Sequence, residues 1–239
     1  MAYKFVAHPV FYVNSSGKKN MIMGIRQEIR EYIDSSIVPL YDAFDMAHRR
    51  DHVLTVMSQA MELYSTAPEE IRSGIDPEML LVAAACHDLG LVNGRENHHL
   101  DSGRIIRSDR MLSKWFSREQ VETIARAAED HRASGKSEPR SIYGKIVAEA
   151  DRVIDAGTII RRTVQYGLTR YPELGAEEQI ARAETHLAEK YGPGGYLRLW
   201  IPWSGNASRL EDLRALISDA ASLHAAVSRV FFTLCIHSQ

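Results

Sequence analysis

The sequence lacks the features that mark secreted or membrane-spanning proteins. Only two cysteines, Cys86 and Cys235, occur in 239 residues, and both stand in apolar stretches. This usage is typical of thiols in a reducing compartment and not of a disulfide framework. No run of about 18 apolar residues could span a bilayer, and Lys4 and His8 interrupt any signal segment at the start. We therefore expect a soluble cytoplasmic protein that does not contact membranes.

A large excess of charge of either sign is also missing. The chain has 29 Lys and Arg against 31 Asp and Glu, a formal net charge of -2. This balance supplies no cationic field for nucleic acid or for an anionic membrane. Apolar residues make up 45% of the chain, which is ordinary for a globular protein with a sizeable core. We therefore expect no nucleic acid partner, and a homo-oligomer remains possible.

Helical periodicity dominates the chain from Met21 onward, and the sequence predicts an all-α helical bundle. We expect residues 1–20 to form an N-terminal arm with an extended stretch and a turn at 14–17. Residues 21–170 are expected to form one helical domain, with residues 171–239 as a C-terminal helical extension packed on it. Asp76-Pro77 predicts a helix start. Single long helices are expected over about 141–166 and 208–234.

The most informative feature is the pair His87-Asp88, which follows the apolar run Met79–Cys86. A carboxylate in such a position should be partly buried, and a buried carboxylate without a partner is costly. A metal ion removes that cost. With His52 before the pair and Asp151 after it, two imidazoles and two carboxylates are available, each from a different helix except the pair. Helical bundles build metal centres from inward-facing side chains of this kind.

Two further histidines, His99 and His131, extend the pattern to a second metal site, with Asp88 as the ligand that both sites share. His98 adjoins His99 and is the alternative at that position. Nitrogen and oxygen ligands without thiolate suit Mn, Fe, Co, Ni or Zn and do not choose among them. The sequence therefore predicts one or two divalent transition metal ions.

Three segments carry a resemblance to a known family. They resemble segments of the HD-domain superfamily of metal-dependent phosphohydrolases. The segment that carries the family's first histidine is matched by Arg49–Val56, its His-Asp segment by Ala83–Gly90, and its last-aspartate segment by residues 145–153. The resemblance covers about residues 44–160. His99–Gly103 and Glu129–Arg132 are similar to the motifs of small bacterial HD hydrolases that bind two metals.

The resemblance implies an HD-domain-like helical fold and a hydrolase that cleaves a phosphoester or phosphoanhydride of a nucleotide-like substrate with metal-activated water. It implies that Asp88 and Asp151 hold the metal and orient the nucleophile. It also implies that His99 or His131 binds a second metal or protonates the leaving group.

Basic residues flank the predicted ligands, and arginine is well suited to bidentate phosphate contacts. The alternative for each is an ordinary solvated side chain. One of them, Arg95, stands near the position where many members of the family carry a lysine after the His-Asp pair. The candidate substrate-binding residues are Arg49, Arg95, Arg132, Lys145 and Arg152.

Two other functions remain open at this point. One is a regulatory domain that binds a metal or a nucleotide without turning it over; loss of a ligand would be its expected mark, and the ligand set is intact. The other is a di-iron oxygenase activity on the same scaffold, as some relatives of the superfamily imply. Iron content and oxygen consumption distinguish that activity from hydrolysis.

Overall fold

The computed structural model describes residues 10–13, 19–22, 24–45, 48–132, 137–152 and 154–236. Within these residues the chain is helical apart from one two-stranded hairpin, which confirms the predicted all-α class. The elements are β1 (Val10–Val13), β2 (Lys19–Ile22), α1 (Gln27–Tyr32), α2 (Arg50–Ser65), α3 (Glu69–Arg72), α4 (Pro77–Cys86), α5 (His98–Ser108), α6 (Leu112–Trp115), α7 (Arg118–Glu129), α8 (Ile142–Ala150), α9 (Ala156–Arg170), α10 (Ala176–Tyr191), α11 (Asn206–Ser218) and α12 (Ala220–Ile236).

The chain divides into two compact units, residues 1–152 and 153–239. The division falls before α9, whereas the sequence predicted a boundary after residue 170. Packing of the C-terminal extension on the first domain stays a prediction. In the N-terminal arm, β1 and β2 pair antiparallel, with Val10 opposite Ile22. Residues 1–9 and 14–18, including the predicted turn, lie outside the described residues.

Helix α4 is the central element of the first unit. Every residue from Glu78 to Cys86 is buried, as expected for a helix that is apolar on all sides. It contacts α2, α7 and α8. Its start is confirmed at Asp76-Pro77, where the Asp76 side chain accepts hydrogen bonds from the backbone N–H groups of Glu78 and Met79. The first unit is thus built around a buried apolar helix, which His87 follows directly.

A 3₁₀ helix, Val38–Ala43, precedes α2 and brings Tyr41 into the core, where this side chain is fully buried. A second 3₁₀ helix, Leu89–Asn93, follows the His87-Asp88 pair. Both short helices lie next to longer ones, since the first contacts α2 and the second contacts α5. They place backbone and side chains close to the end of α4.

Gly90 permits a close approach between the turn after α4 and the first turns of α5. A Cβ at this position would collide with the backbone of His98 and Ser102. The Gly90 N–H donates to Ser102 Oγ at 2.9 Å, and Ser102 is fully buried. Helix α4 has already ended at Cys86, so Gly90 is not the residue that ends it. The glycine serves instead to let α5 lie directly against this turn.

The prediction of a single helix over 141–166 is wrong, because this segment forms two helices, α8 and α9, joined by a short non-helical stretch. Asp151 is the last residue of the first segment, in helical conformation, and Asp155 caps the next helix by accepting the Thr158 N–H at 2.7 Å. The break releases Asp151 from a helix interior. Asp151 and Asp155, which one continuous helix would place about one turn apart, therefore have different roles.

The second unit has an apolar core of its own. Buried residues from α9, α10, α11 and α12 form one cluster, which includes Ile160, Leu187, Leu213 and Val227. The single helix expected over 208–234 is two helices, α11 and α12, bent by 99° at Asp219. In the described part of the chain no single helix is long and apolar enough to cross a membrane. The bent pair α11 and α12 reaches that length and composition only when taken together.

Candidate metal centre

Five of the six predicted ligands come from the ends of four helices. His87 and Asp88 follow the C-terminus of α4, His131 follows the C-terminus of α7, and Asp151 follows the C-terminus of α8. His52 lies in the first turn of α2. A helix C-terminus carries a partial negative charge from its unpaired carbonyl groups. Three such ends at one place therefore favour a cation there.

One group of ligand atoms, the first subsite, consists of His52, His87, Asp151 and one oxygen of Asp88. His52 Nε2 lies 3.3 Å from His87 Nε2, 3.3 Å from Asp151 Oδ1 and 3.5 Å from Asp88 Oδ2. His87 Nε2 lies 3.3 Å from Asp88 Oδ2 and 3.8 Å from Asp151 Oδ1. The structure thus brings together the four residues for which the sequence predicted a common site.

A second group, the second subsite, consists of His98, His131 and the other oxygen of Asp88. Asp88 Oδ1 lies 3.3 Å from His131 Nε2 and 3.5 Å from His98 Nε2. The two imidazole Nε2 atoms are 3.1 Å apart. Each oxygen of Asp88 therefore faces a different pair of imidazoles, and its side chain is almost fully buried between them.

His98 takes the place for which the sequence analysis preferred His99, and this is a correction to the predicted ligand set. The two rings are adjacent on α5, with their centroids 5.6 Å apart. Successive side chains on a helix point about 100° apart, so only one of them faces Asp88. Helix α5 begins at His98 itself, a boundary that periodicity alone did not fix.

The imidazoles are oriented by hydrogen bonds on the side away from the centre. His87 Nδ1 lies 2.8 Å from the carbonyl oxygen of Ala84, and His131 Nδ1 lies 2.5 Å from that of Ala128. His98 Nδ1 lies 2.8 Å from the carbonyl oxygen of Arg95. A carbonyl only accepts, so each Nδ1 carries a proton. This leaves Nε2, the ring nitrogen that faces Asp88, as the atom available to a metal.

Burial and the neighbouring charges shape the ionisation of the centre. Burial opposes ionisation of Asp88 and Asp151, but the surrounding imidazoles outweigh it and hold the pKa of both carboxyls well below the usual range. Burial likewise opposes the charged form of His52, yet hydrogen bonds to Asp151 and Asp88 raise its pKa to about 9. Both carboxylates are thus ionised, as metal ligands must be.

The donor set fits divalent metal ions in number, type and spacing. Donors about 2.0–2.2 Å from an ion at ordinary coordination angles lie roughly 2.8–3.6 Å apart. The distances between donor atoms in the two subsites run from 3.1 to 3.8 Å. Imidazole and carboxylate without thiolate are typical of Mn, Fe, Co, Ni and Zn. The residues present could hold one ion in each subsite, with Asp88 bridging.

Of the candidate substrate-binding residues, Arg49 and Arg95 lie on exposed loops before α2 and α5. Arg49 Nε donates to the carbonyl of Phe44 at 3.4 Å. Arg95 lies 3.6 Å from the carboxylate of Asp45 and is largely exposed. Asp45 also lies 2.7 Å from His48 Nδ1, whose ring meets that of His52 edge-on. These loops carry charge next to the first turns that hold His52 and His98.

The other three candidates differ in their surroundings. Arg132 donates to the carbonyl of Glu96 at 2.9 Å. The pKa of His99 is lowered to about 4, mainly by burial and next by the positive charge of Arg132. Lys145 Nζ pairs with Glu138 at 2.5 Å. Arg152 is buried beside Glu149, 3.9 Å away. The charge of Arg132 also acts on His98 of the second subsite, and the substrate roles of all five residues stay predictions.

Sequence reasoning missed Tyr41, whose hydroxyl group lies against the end of α4. It donates to the Ala85 carbonyl at 2.8 Å and accepts the Asp88 N–H at 3.3 Å. No local signal marks this residue, because its partners are more than 40 positions away in the chain. His98 had a signal in its adjacency to His99, but choosing between them requires the start of α5.

Comparison with known proteins agrees with this geometry. Residues 49–155 match the family model described as HD domain. No curated protein and no solved structure matches the chain at a significant level. The matched segment contains every residue of both subsites, and their arrangement fits the metal-binding pattern of the family. Residues 49–155 are therefore similar to an HD domain, both in sequence and in the placement of the His and Asp side chains.

Proposed function

We propose that this protein is a metal-dependent phosphohydrolase that cleaves a phosphoester or phosphoanhydride bond of a small nucleotide-like substrate. The observation that carries the proposal is the position of Asp88, whose two oxygens face two separate groups of imidazoles. A carboxylate placed in this way suits a bridge between two cations. Paired cations are a common solution for displacement at phosphorus.

Divalent ions in these subsites supply a Lewis acid for a phosphoryl oxygen and lower the pKa of water. The protein supplies the charge balance, because two carboxylates leave two divalent ions with a net charge of about +2. An anionic substrate is therefore favoured over a neutral one. Asp151 is the most exposed ligand, with 23% of its side chain accessible, whereas His87 and Asp88 are buried. We expect substrate to approach from the side of Asp151.

Cationic side chains next to the centre support a phosphorylated substrate. Arg132 is held against the loop that precedes α5, close to the second subsite. Arg49 and Arg95 lie on the loops that lead into the two histidine-bearing helices. A guanidinium group can hold two phosphate oxygens at once. In the proposal Arg132 contacts the phosphate nearest the metal centre, and the two exposed arginines contact more distant parts of the substrate.

The test combines metal analysis with a screen for phosphate release. Purified protein is analysed for transition metals and is then assayed on nucleotides in Mn, Co, Ni, Fe and Mg. We expect about two ions per chain and release from one class of nucleotide. His224→Ala is the matched control, since this histidine is exposed and pairs with Glu184 in the second unit. It should retain wild-type metal content and turnover.

The same experiment separates the proposal from its alternatives. Two bound ions without phosphate release from any nucleotide would overturn hydrolysis and favour a regulatory domain. Iron content together with oxygen consumption would favour an oxygenase. A chain that binds no transition metal would overturn the centre itself.

A further inference from the structure

Two neighbouring residues in the chain, His87 and Asp88, point into the same centre, and a continuous helix could not achieve this. Successive side chains on an α-helix diverge by about 100°. Nevertheless, His87 Nε2 and Asp88 Oδ2 are only 3.3 Å apart. Asp88 has left helical geometry, with φ -107° and ψ 7°. The backbone between His87 and Leu89 must therefore be held in this form for the centre to assemble.

Leaving the helix releases backbone groups that need other partners. In a continued helix the Asp88 N–H would donate to the Ala84 carbonyl, and the next N–H to the Ala85 carbonyl. Instead, the Ala84 carbonyl accepts from His87 Nδ1 at 2.8 Å. The Asp88 N–H and the Ala85 carbonyl both bind the hydroxyl of Tyr41, at 3.3 and 2.8 Å. One hydroxyl thus replaces two missing helix partners.

Tyr41 is well suited to this task. A phenol donates one hydrogen bond and accepts others, and here it does both with backbone groups of the same turn. The side chain is fully buried, and its ring packs edge-on against Phe44 with centroids 5.3 Å apart. A phenol is protonated at neutral pH, so the hydroxyl can donate to the Ala85 carbonyl while it accepts from the Asp88 N–H.

We infer that Tyr41 is a positioning residue that fixes the backbone of Asp88 so that its carboxylate reaches both subsites. The residue belongs to the 3₁₀ helix Val38–Ala43, outside the segment that matches the HD domain. Its hydroxyl acts through the main chain, because its hydrogen bonds go to the Ala85 carbonyl and the Asp88 N–H. The inference rests on the proposed metal centre, because it concerns how that centre is shaped.

The test is Tyr41→Phe, which removes the hydroxyl and keeps the ring. The protein offers a matched control at the other end of the same helix, where the Asp76 N–H donates to the hydroxyl of Tyr143 at 2.8 Å. Tyr143→Phe also removes one hydroxyl that binds the backbone next to α4, at the residue that caps its start. The affinity of each protein for Co²⁺ is measured by calorimetric titration, and the visible absorption of bound Co²⁺ reports ligand geometry. Thermal unfolding is followed in parallel without metal.

We expect Tyr41→Phe to bind Co²⁺ about 10- to 100-fold more weakly, the range seen when a group that orients a ligand is removed, and to shift the absorption spectrum. Tyr143→Phe should lower the melting temperature by a similar amount yet keep wild-type affinity and spectrum. Wild-type binding by Tyr41→Phe would overturn the inference, as would equal weakening in both variants. Absence of Co²⁺ binding by the wild-type protein would instead overturn the proposed centre.

A milder variant covers the case in which Tyr41→Phe does not fold. Phe44→Leu loosens the ring packing of Tyr41 and keeps its hydroxyl. We expect a few-fold weaker Co²⁺ binding and a smaller change in the spectrum. Unchanged affinity and spectrum in a folded Phe44→Leu protein would count against the inference.

Discussion

The two subsites share Asp88 but are built differently. The first has four ligand residues, and His87 and Asp88 both extend directly from the central helix α4. The second has three, and one of them, His98, depends on how α5 lies against the turn at Gly90. One subsite is therefore fixed by the core, whereas the other is fixed by a contact between a helix and a turn. We expect the second to be the weaker and the more easily disturbed.

The largest effect should follow removal of the shared ligand. Asp88→Ala takes an oxygen from each subsite, so we expect metal content to fall from about two ions to nearly none. Turnover should fall by more than the 10- to 100-fold typical of residues that only orient ligands. Elemental analysis and phosphate release check this. Retention of one full ion would show that the subsites do not share this carboxylate.

Asp151→Ala should separate the subsites. Asp151 Oδ1 lies near His52 and His87, and the ligand atoms of the second subsite are complete without it. We expect one ion to be lost or bound much more weakly, with the other retained, and turnover to be abolished. Metal content of the dialysed variant gives the answer. Equal loss of both ions would mean that the second subsite cannot fill alone.

Neighbouring histidines on α5 provide a paired test of the second subsite. His98→Ala should reduce metal content from about two ions to one, because His98 Nε2 lies 3.5 Å from Asp88 Oδ1. His99→Ala should retain both ions, since His99 belongs to neither group of ligand atoms. The two variants are compared by elemental analysis after the same dialysis. The reverse result would restore His99 as the ligand.

Stepwise removal of metal should show that the two subsites differ in affinity. As chelator is added and the free metal concentration falls, we expect the ion in the second subsite to dissociate before the ion in the first subsite. The first subsite should empty only at a free metal concentration at least about tenfold lower. Saturation at 100 times Kd stabilises a protein by about 2.7 kcal/mol. Full removal should therefore lower Tm by about 5–10 °C. Differential scanning fluorimetry at each chelator concentration measures this; one step with no change in Tm would contradict unequal subsites.

Much of this site could be predicted from the sequence because its main signals are local. The apolar run before His87 predicts a buried helix end, and an acid placed there needs a partner. Five of the six predicted ligands lie in the cluster. The break between α8 and α9 was missed because Asp151 and Asp155 keep helical spacing, and only the cap at Asp155 reveals it. Tyr41 was missed because its role comes from tertiary contact alone.

The smallest effect should come from Gly90→Ala, which moves a helix without removing a ligand. The added methyl group would collide with the backbone of His98 and Ser102, and overpacking of this kind costs about 1–3 kcal/mol. We expect α5 to shift, so that the second subsite binds its ion several-fold more weakly while the first is nearly unchanged. Gly157→Ala is the control, since a Cβ there meets only ordinary contact, with Asp155 at 3.6 Å. If Gly90→Ala weakened both ions equally, the two subsites would have to be treated as one cooperative unit and not as a core site with a dependent neighbour.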